Sequence, residues 1–346
     1  MYKIEGVNKL AEAATLLNCG PLRDSLNEIN RHVNDVLEEG RRAQQGKPIN
    51  GHKLADFAYQ KLGAFDAYYL GRTDIESWIE KKLSSDQVNQ PFLWTTKYNG
   101  VTYRLWAQPF SSVINPTIKV NGECISTDKL GHFFRHGHDY YDTHHKQGKD
   151  AALSLGHKKE MGTFGVATTG VYSNADISAN EDGYRFFCDL EKNPSMEFNL
   201  SNYISPKWDE EIESNFYDEN VAIHVWNHIL NARFEGIIKP YQVLHPSFTF
   251  FTLQAHQDKS ITGFYSYVGK DKQRKTGQMS GSFSFIKNKE GLVTGVNLKF
   301  TWHEYDNLGQ AYHGHSLLKS TKENTLDGLF FNHPFFSKIE IQRTSF

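Results

Sequence analysis

The sequence predicts an α+β fold, and three observations carry the prediction. In the first ninety residues apolar side chains recur at three- and four-residue steps, as they do along one face of a helix. From Pro91 the period drops towards two, with Asn-Gly pairs set between β-type runs. After Pro240 four or more alternating runs follow one another, the pattern of an antiparallel sheet or open barrel. The expected organisation is a helical packing or docking region over 1–90, a mixed α+β region over 91–239 holding the candidate catalytic residues, and an antiparallel β region over 240–346 that offers a ligand surface.

Taken in order, LRDSLNEINRHVNDVLEEGRRAQ aligns Leu22, Leu26, Ile29, Val33 and Leu37 on one helical face, with Gly40 and then Gly46 and Pro48 marking its end. HKLADFAYQKLGAFDAYYL and TDIESWIEKKL continue the helical pattern, with Thr73 and Asp74 as cap residues for the latter. FLWTTKY and VTYRLWAQPF flank Asn99-Gly100, and TIKV and ECIS flank Asn121-Gly122, so both stretches read as hairpins. A His-rich helical region runs from Thr127 to about Leu190, followed by a polar, acidic connection around Pro206 to Asn220 and a helical VAIHVWNHILNARF. SFTFFTLQAH, ITGFYSYVG, GSFSFIKN and LVTGVNLKFTWHEYD are the strand candidates, and KDKQRKTGQ is a basic, solvated loop between two of them.

Composition excludes several classes. Over 346 residues, 38% hydrophobic and 23% charged residues describe a folded chain able to bury a core. A net charge of −2 argues against nucleic acid as a partner. Aromatic residues reach 14%, enough to fill a β-rich core or line a groove for sugars. Three scattered cysteines, Cys19, Cys124 and Cys188, describe neither a disulfide framework nor a thiolate zinc site, and Cys124 and Cys188 read as core thiols. The N-terminal residues do not have the form of a secretory signal, and no run approaches the ~18 apolar residues of a membrane span. The expectation is a soluble protein, cytoplasmic as made, whose action elsewhere needs a dedicated secretion machine or lysis. GxSxG, P-loop and GxGxxG runs are absent from the sequence.

Chemistry concentrates between Ser126 and Leu190, where six of the sixteen histidines fall. Asp128, His132 and His136 are spaced by four and would stack on one helical face. An i, i+4 histidine pair can present two imidazoles to one ion, so Asp128, His132 and His136 are the ligands of a divalent metal under one reading; otherwise no cofactor is expected. Phe133 stands where the HExxH pattern has its glutamate. Glu160 closes the helical KDAALSLGHKKE and precedes GTFGVATTGVYS, which reads as a hairpin or tight loops. Apolar Phe164 and Val166 nearby would desolvate the Glu160 carboxyl and suit it to general acid work, with Asp176 and His132 as partners. Thr163, Thr168, Tyr172 and Asn180 are the candidate substrate contacts, and NADISANEDGYRFFCDL reads as a helix capped by Asn174. In the β region, alternation puts Trp302 and Glu304 on one face and His303 on the other, near His313 and His315; a wet outer sheet face is the expectation.

Glu160, the GTFG loop, Asp176, Asn180, Gly183, Phe186 and Leu190 resemble the motif of lysozyme-like enzymes and lytic transglycosylases, with Met161 where that family usually has Ser. DKLGHF and DISANEDG resemble the DKxxHF and DxxANxxG elements of VanZ-like and related bacterial envelope proteins, through Asp128, Lys129, His132, Phe133, Asp176, Asn180 and Gly183. The first resemblance implies a peptidoglycan-directed hydrolase or lyase, an antibacterial effector or lysis protein, in which Glu160 protonates the glycosidic oxygen and Asp176 or His132 orients water. Its partners would be cell-wall glycan and an immunity or secretion protein. The second implies association with the cell envelope. A metal-dependent hydrolase and a non-catalytic envelope-associated binding protein are the alternatives.

Overall fold

The fold is α+β. The computed structural model describes residues 19, 21–66, 72–90, 97–98, 101, 115–162, 165–210, 212–240, 247–268, 272–305, 309–332 and 335–344. Two compact units form: the described parts of 15–93 and 103–215 make a mainly helical unit, and those of 94–102 and 216–346 make a β unit. The Asn99-Gly100 turn and Thr163 lie outside the described residues.

The helical unit begins with α1 (Leu26–Arg42), which buries Ile29, Val33 and Leu37 as their spacing predicts and Val36 besides, while Leu26 is half-buried and Leu22 lies before the helix. Gly40 does not end this helix. It sits inside it, where a Cβ would come within 2.7 Å of Leu54 and Phe57, so this glycine is a contact point rather than a stop. The next helix, α2 (Gly51–Ala58), is capped by Asn50, whose side chain accepts from the Lys53 amide, and runs on into a π turn at Tyr59–Gly63. Thr73 and Glu76 form a capping box on α3 (Asp74–Lys82). Strands β1 (Val88–Asn89), β2 (Thr117–Val120) and β3 (Glu123–Ser126) make a small antiparallel sheet. The predicted Asn121-Gly122 hairpin forms between β2 and β3, with both turn residues left-handed at φ 53° and 85°.

A continuous helical stretch follows: α4 (Asp128–Gly131), a π turn at His132–His136, then α5 (Gly137–Gln147). Then come α6 (Lys149–Met161), the short α7 (Val166–Thr169), β4 (Val171–Tyr172) and α8 (Asn174–Lys192). From Gly165 on, the Gly-rich run after Glu160 is thus a helical turn and a two-residue strand rather than a hairpin, and Phe164, like Thr163, lies outside the described residues. Ser173, one residue before the predicted cap Asn174, caps α8 by accepting from the Asp176 amide. Backbone meets backbone where α8 crosses the His132–His136 turn: a Cβ on Gly183 would fall 1.9 Å from the Phe133 carbonyl oxygen, and one on Gly137 2.6 Å from Gly183. Phe133, Phe134, Phe186, Phe198, Tyr203 and Trp208 fill the core beneath this crossing, in one cluster with Ile29, Val33, Leu54 and Ile79.

The cysteine reading needs one correction. Cys19 and Cys124 are disulfide-bonded, 105 residues apart in sequence, with their Cα atoms 5.7 Å apart. Spacing could not reveal a pair that only tertiary packing of the β2–β3 hairpin creates. Cys188 is free and half-buried.

In the β unit, β5 (Phe216–Tyr217) and α9 (Glu219–Leu230) precede eight long strands: β6 (Arg233–Pro240), β7 (Ser247–Ala255), β8 (Ser260–Val268), β9 (Arg274–Lys287), β10 (Val293–Tyr305), β11 (Ala311–Lys322), β12 (Thr325–Asn332) and β13 (Phe335–Thr344). Each pairs antiparallel with the next, and β13 returns to β6, with Ile339 opposite Ile238, so the sheet closes into an eight-stranded barrel. Closure removes the sheet edges and turns the predicted open face inward. Phe234, Phe251, Tyr265, Met279, Phe283, Leu298, Trp302 and Ile341 are buried there, and α9 packs its Val221, Val225 and Ile229 face against β7 and β10. Trp302 and Glu304 do share a face, but it is this interior and not a wet outer surface. Glu304 accepts from the Tyr265 and Tyr267 hydroxyls at 3.1 and 3.2 Å, which supplies partners for a carboxylate that a closed barrel would otherwise strand. Among the described residues no helix is long and apolar enough to cross a membrane.

Candidate functional site

The first turn of α4 and the first two turns of α8 face one another in the helical unit, and their polar residues meet. Lys129 is the centre. Its side chain is 0% exposed, and its Nζ lies 2.6 Å from Asp176 Oδ1, 2.7 Å from Glu210 Oε1 and 3.3 Å from Asp128 Oδ2. Burial alone would push this ammonium's pKa down. The carboxylates of Asp128, Asp176 and Glu210 outweigh burial and hold it well above the ordinary lysine value. A buried lysine is tolerated only with such partners, since an unpaired ion in a low dielectric costs several kcal/mol.

His132 extends the cluster. Its Nε2 stands 3.3 Å from Asp176 Oδ2, and its Nδ1 donates to Asn180 Oδ1 at 3.0 Å. Asn180, one turn after Asp176 on α8, therefore sets the orientation of the imidazole, much as a neighbouring carbonyl fixes a catalytic histidine. Asp128 is braced by the Ser126 hydroxyl.

Glu160, in the last turn of α6, is 3% exposed, and its Oε1 accepts from the Ser173 amide at 2.8 Å. The same Ser173 caps α8 through its hydroxyl, so one residue ties the glutamate to the turn that carries Asp176. Burial pushes the Glu160 carboxyl well above the usual range, and the charges of Asp176 and Glu210 push it further; the Ser173 amide and Lys129 oppose them without prevailing. Gly165 makes the tight return after α6 feasible, because a Cβ there would fall 2.1 Å from the Glu160 carbonyl oxygen. Glu76, buried in its capping box, is raised in the same way by desolvation, with Asp128 adding to it against the Thr73 hydrogen bonds.

The residues singled out from sequence divide as follows. Asp128, His132, Asp176 and Asn180 are brought together, and Glu160 joins them through Ser173 and its electrostatic coupling to Asp176. His136 borders the group without sharing its set of ligand atoms. Its ring stays beside that of His132, with centroids 4.9 Å apart, but its Nδ1 turns to Asp139 Oδ2 at 3.1 Å beside Lys159. Of the sequence-based metal set Asp128, His132 and His136, the first two fall with Asp176 in a group whose ligand atoms lie within 4.8 Å of one another. Burial, opposed by the Asp139 hydrogen bond, lowers the His136 pKa to about 4 and leaves its ring neutral near pH 7. Tyr172 is buried on β4 with its hydroxyl 3.2 Å from His157 Nδ1, and Thr168 lies on α7.

Sequence reasoning named Lys129 only within the DKxxHF resemblance, with no chemical role, and did not single out Glu210. A lysine next to an aspartate at a helix start carries no signal of burial. Glu210 stands in an acidic run, DEEIE, whose members differ in nothing that sequence alone can weigh. The arrangement can hold a proton on one carboxyl (Glu160) next to a second (Asp176) that is salt-bridged and placed beside an imidazole. Asp128 and Glu210, with side chains 25% and 28% exposed, form the solvent side of the cluster.

No known protein-family model matches the chain, and comparison with curated proteins likewise finds no match.

Proposed function

We propose that the helical unit is a hydrolase that works by paired-carboxylate acid–base chemistry on a glycan, with cell-wall polysaccharide as the substrate class. The observation that carries this reading is the unequal treatment of two neighbouring carboxyls. Glu160 is buried and favoured in its protonated form, whereas Asp176 is salt-bridged to Lys129. A carboxyl held protonated by burial beside one paired to a cation supplies an acid and a base. Glu160 gives its proton to the leaving glycosidic oxygen, and Asp176, beside His132, takes a proton from the attacking water. Lys129 holds Asp176 in place, and Asn180 holds His132. Substrate approaches from the side of Asp128 and Glu210. The Cys19–Cys124 bridge suits an oxidising compartment, which supports a role at the envelope or beyond it.

The test is release of soluble fragments from purified peptidoglycan in the presence of a chelator. Glu160→Gln and Asp176→Asn should each lower the rate by about 100-fold or more, the usual worth of a positioned acid or base. Full activity in Glu160→Gln sinks the proposal.

A second reading, a metal-dependent hydrolase, is favoured by the closeness of the Asp128, His132 and Asp176 ligand atoms. It ranks lower because the Lys129 ammonium already pairs with both carboxylates and would repel a divalent ion. Chelator-sensitive digestion would bring it forward. A folded protein without turnover under either condition would leave a binding role.

A further inference from the structure

A second polar cluster lies outside the proposed catalytic group, where three helix ends of the same unit converge. His52 stands in the first turn of α2, His145 in the last turn of α5 and Glu191 at the end of α8. His145 Nε2 is 3.0 Å from Glu191 Oε2, and His52 Nδ1 is 3.9 Å from Glu191 Oε1. The two imidazole rings pack edge to face with centroids 5.3 Å apart. One ligand atom from each residue falls within 4.8 Å of the other two. We propose that His52, His145 and Glu191 form a binding site for a divalent transition metal, with zinc as the fitting ion.

Ligand chemistry comes first. Two imidazoles and one carboxylate are a zinc-type donor set, and no lysine or arginine is ion-paired to Glu191 among the described contacts, in contrast to the Lys129 cluster. Spacing comes second. Bonds of ~2.0–2.1 Å in a tetrahedral site place neighbouring donors ~3.3 Å apart. The observed 3.0 and 3.9 Å run to the two oxygens of the Glu191 carboxylate, and one ligand atom from each residue lies within 4.8 Å of the other two, so a modest side-chain rotation completes the set. The third argument is the backbone. A Cβ on Gly51 would fall 2.2 Å from the Glu191 carbonyl oxygen, so a glycine is needed for α2 to start against the end of α8, and this seating brings His52 beside Glu191.

Electrostatics agree. Both α5 and α8 present their C-terminal turns here, the end of a helix that favours a cation. Tyr141, fully buried between the helices, places its hydroxyl 2.7 Å from His52 Nδ1 and so sets the ring beside Glu191. Asp56, with Oδ2 3.8 Å from His52 Nε2, adds negative charge at the rim. Side chains 47%, 43% and 33% exposed leave the fourth position open to water, and an ion reaches the site without passing through the core. Bound there, zinc would pin the ends of α2, α5 and α8 to one another.

The experiment is titration of the dialysed full-length protein with zinc against a chromophoric chelator, paired with thermal unfolding with and without zinc. One zinc per chain is expected, together with a zinc-dependent rise in Tm. Outer-sphere partners are worth about 10- to 100-fold in affinity, so His145→Gln and Glu191→Gln should each weaken binding by at least about 100-fold and abolish the rise in Tm. His52→Gln serves as a further variant should either unfold. His144→Gln, whose ring is held by the Tyr184 hydroxyl, and His132→Asn, in the Asp128–Asp176 group, should leave the affinity unchanged. Absence of stoichiometric zinc, equal binding by the wild type and the His145 and Glu191 variants, or loss of binding in His132→Asn alone would each overturn the assignment. None of these outcomes depends on glycan cleavage.

Discussion

Replacing Lys129 by methionine keeps roughly the volume of the side chain and removes the charge on which the cluster depends. In the wild type the ammonium is fully buried and touches Asp176 and Glu210 at 2.6 and 2.7 Å, with Asp128 at 3.3 Å. Without it, three carboxylates share one pocket with no cation at its centre. Breaking a buried pair from one side costs about 3–5 kcal/mol, against a total stability of about 5–15 kcal/mol for a typical domain. The assay is urea denaturation at pH 7, followed by far-UV circular dichroism so that the transition of the helical unit is read directly. The orphaned carboxylates have raised pKa values in the folded variant, so its deficit should shrink as pH falls and they take up protons. Adding Asp176→Asn should also recover part of the loss. In the wild type the folded-state pKa of Lys129 lies well above 10.5, so the cluster's contribution is fully present below that pH and fades only as pH rises through the higher folded value. A cost below about 1 kcal/mol, with no recovery in acid, would refute the reasoning: it would mean that water, not Lys129, solvates the carboxylates.

Three further outcomes follow from the same packing. Because the Glu160 pKa is raised in the folded state, wild-type stability should fall as pH climbs above about 4.5, and Glu160→Gln, which keeps the acceptor for the Ser173 amide, should flatten that fall and be more stable at pH 7 while inactive; parallel stability–pH curves would contradict it. His136 works in the opposite direction: with a folded pKa of about 4 against an ordinary 6.5, it withdraws about 3 kcal/mol as pH drops through that window, at 1.36 kcal/mol per pH unit, and a His136→Gln variant should lack this component of acid destabilisation. Gly183→Ala would set a methyl 1.9 Å from the Phe133 carbonyl oxygen, where backbone has to move, so a loss of about 3 kcal/mol or more is expected in thermal melts; a change under about 0.5 kcal/mol would mean the helix crossing is looser than described.

Much of the secondary structure was legible because it depends on local physics. The face of α1, the Thr73 capping box, the Asn121-Gly122 turn and the alternation in β7 to β10 each follow from interactions within a few residues. The helix boundary at Gly40 was misread because a glycine at a close contact looks the same in sequence as a glycine at a stop. The GTFGVATTG run was misread because turn-forming residues fit a short helical turn as well as a hairpin. Half of the candidate site was legible too. Asp128 and His132 on one side and Asp176 and Asn180 on the other are each spaced by one helical turn, and each pair does share a face.

By itself, then, the sequence determined the α+β class, the elements with strong periodicity or caps, and which stretches held titratable side chains in helical register. Tertiary structure alone decided that the described parts of 19–90 and 115–215 share one core, that the last eight strands close with Trp302 and Glu304 inside, and that Cys19 meets Cys124. It also decided that Lys129 is buried among three carboxylates, that His136 turns its Nδ1 to Asp139, and that His52 reaches His145 and Glu191 across three helix ends. The physical reason is the same throughout. Periodicity and capping are set by neighbours along the chain, whereas burial of a charge, closure of a sheet and the meeting of distant side chains are set by which surfaces pack, and that depends on the whole sequence at once.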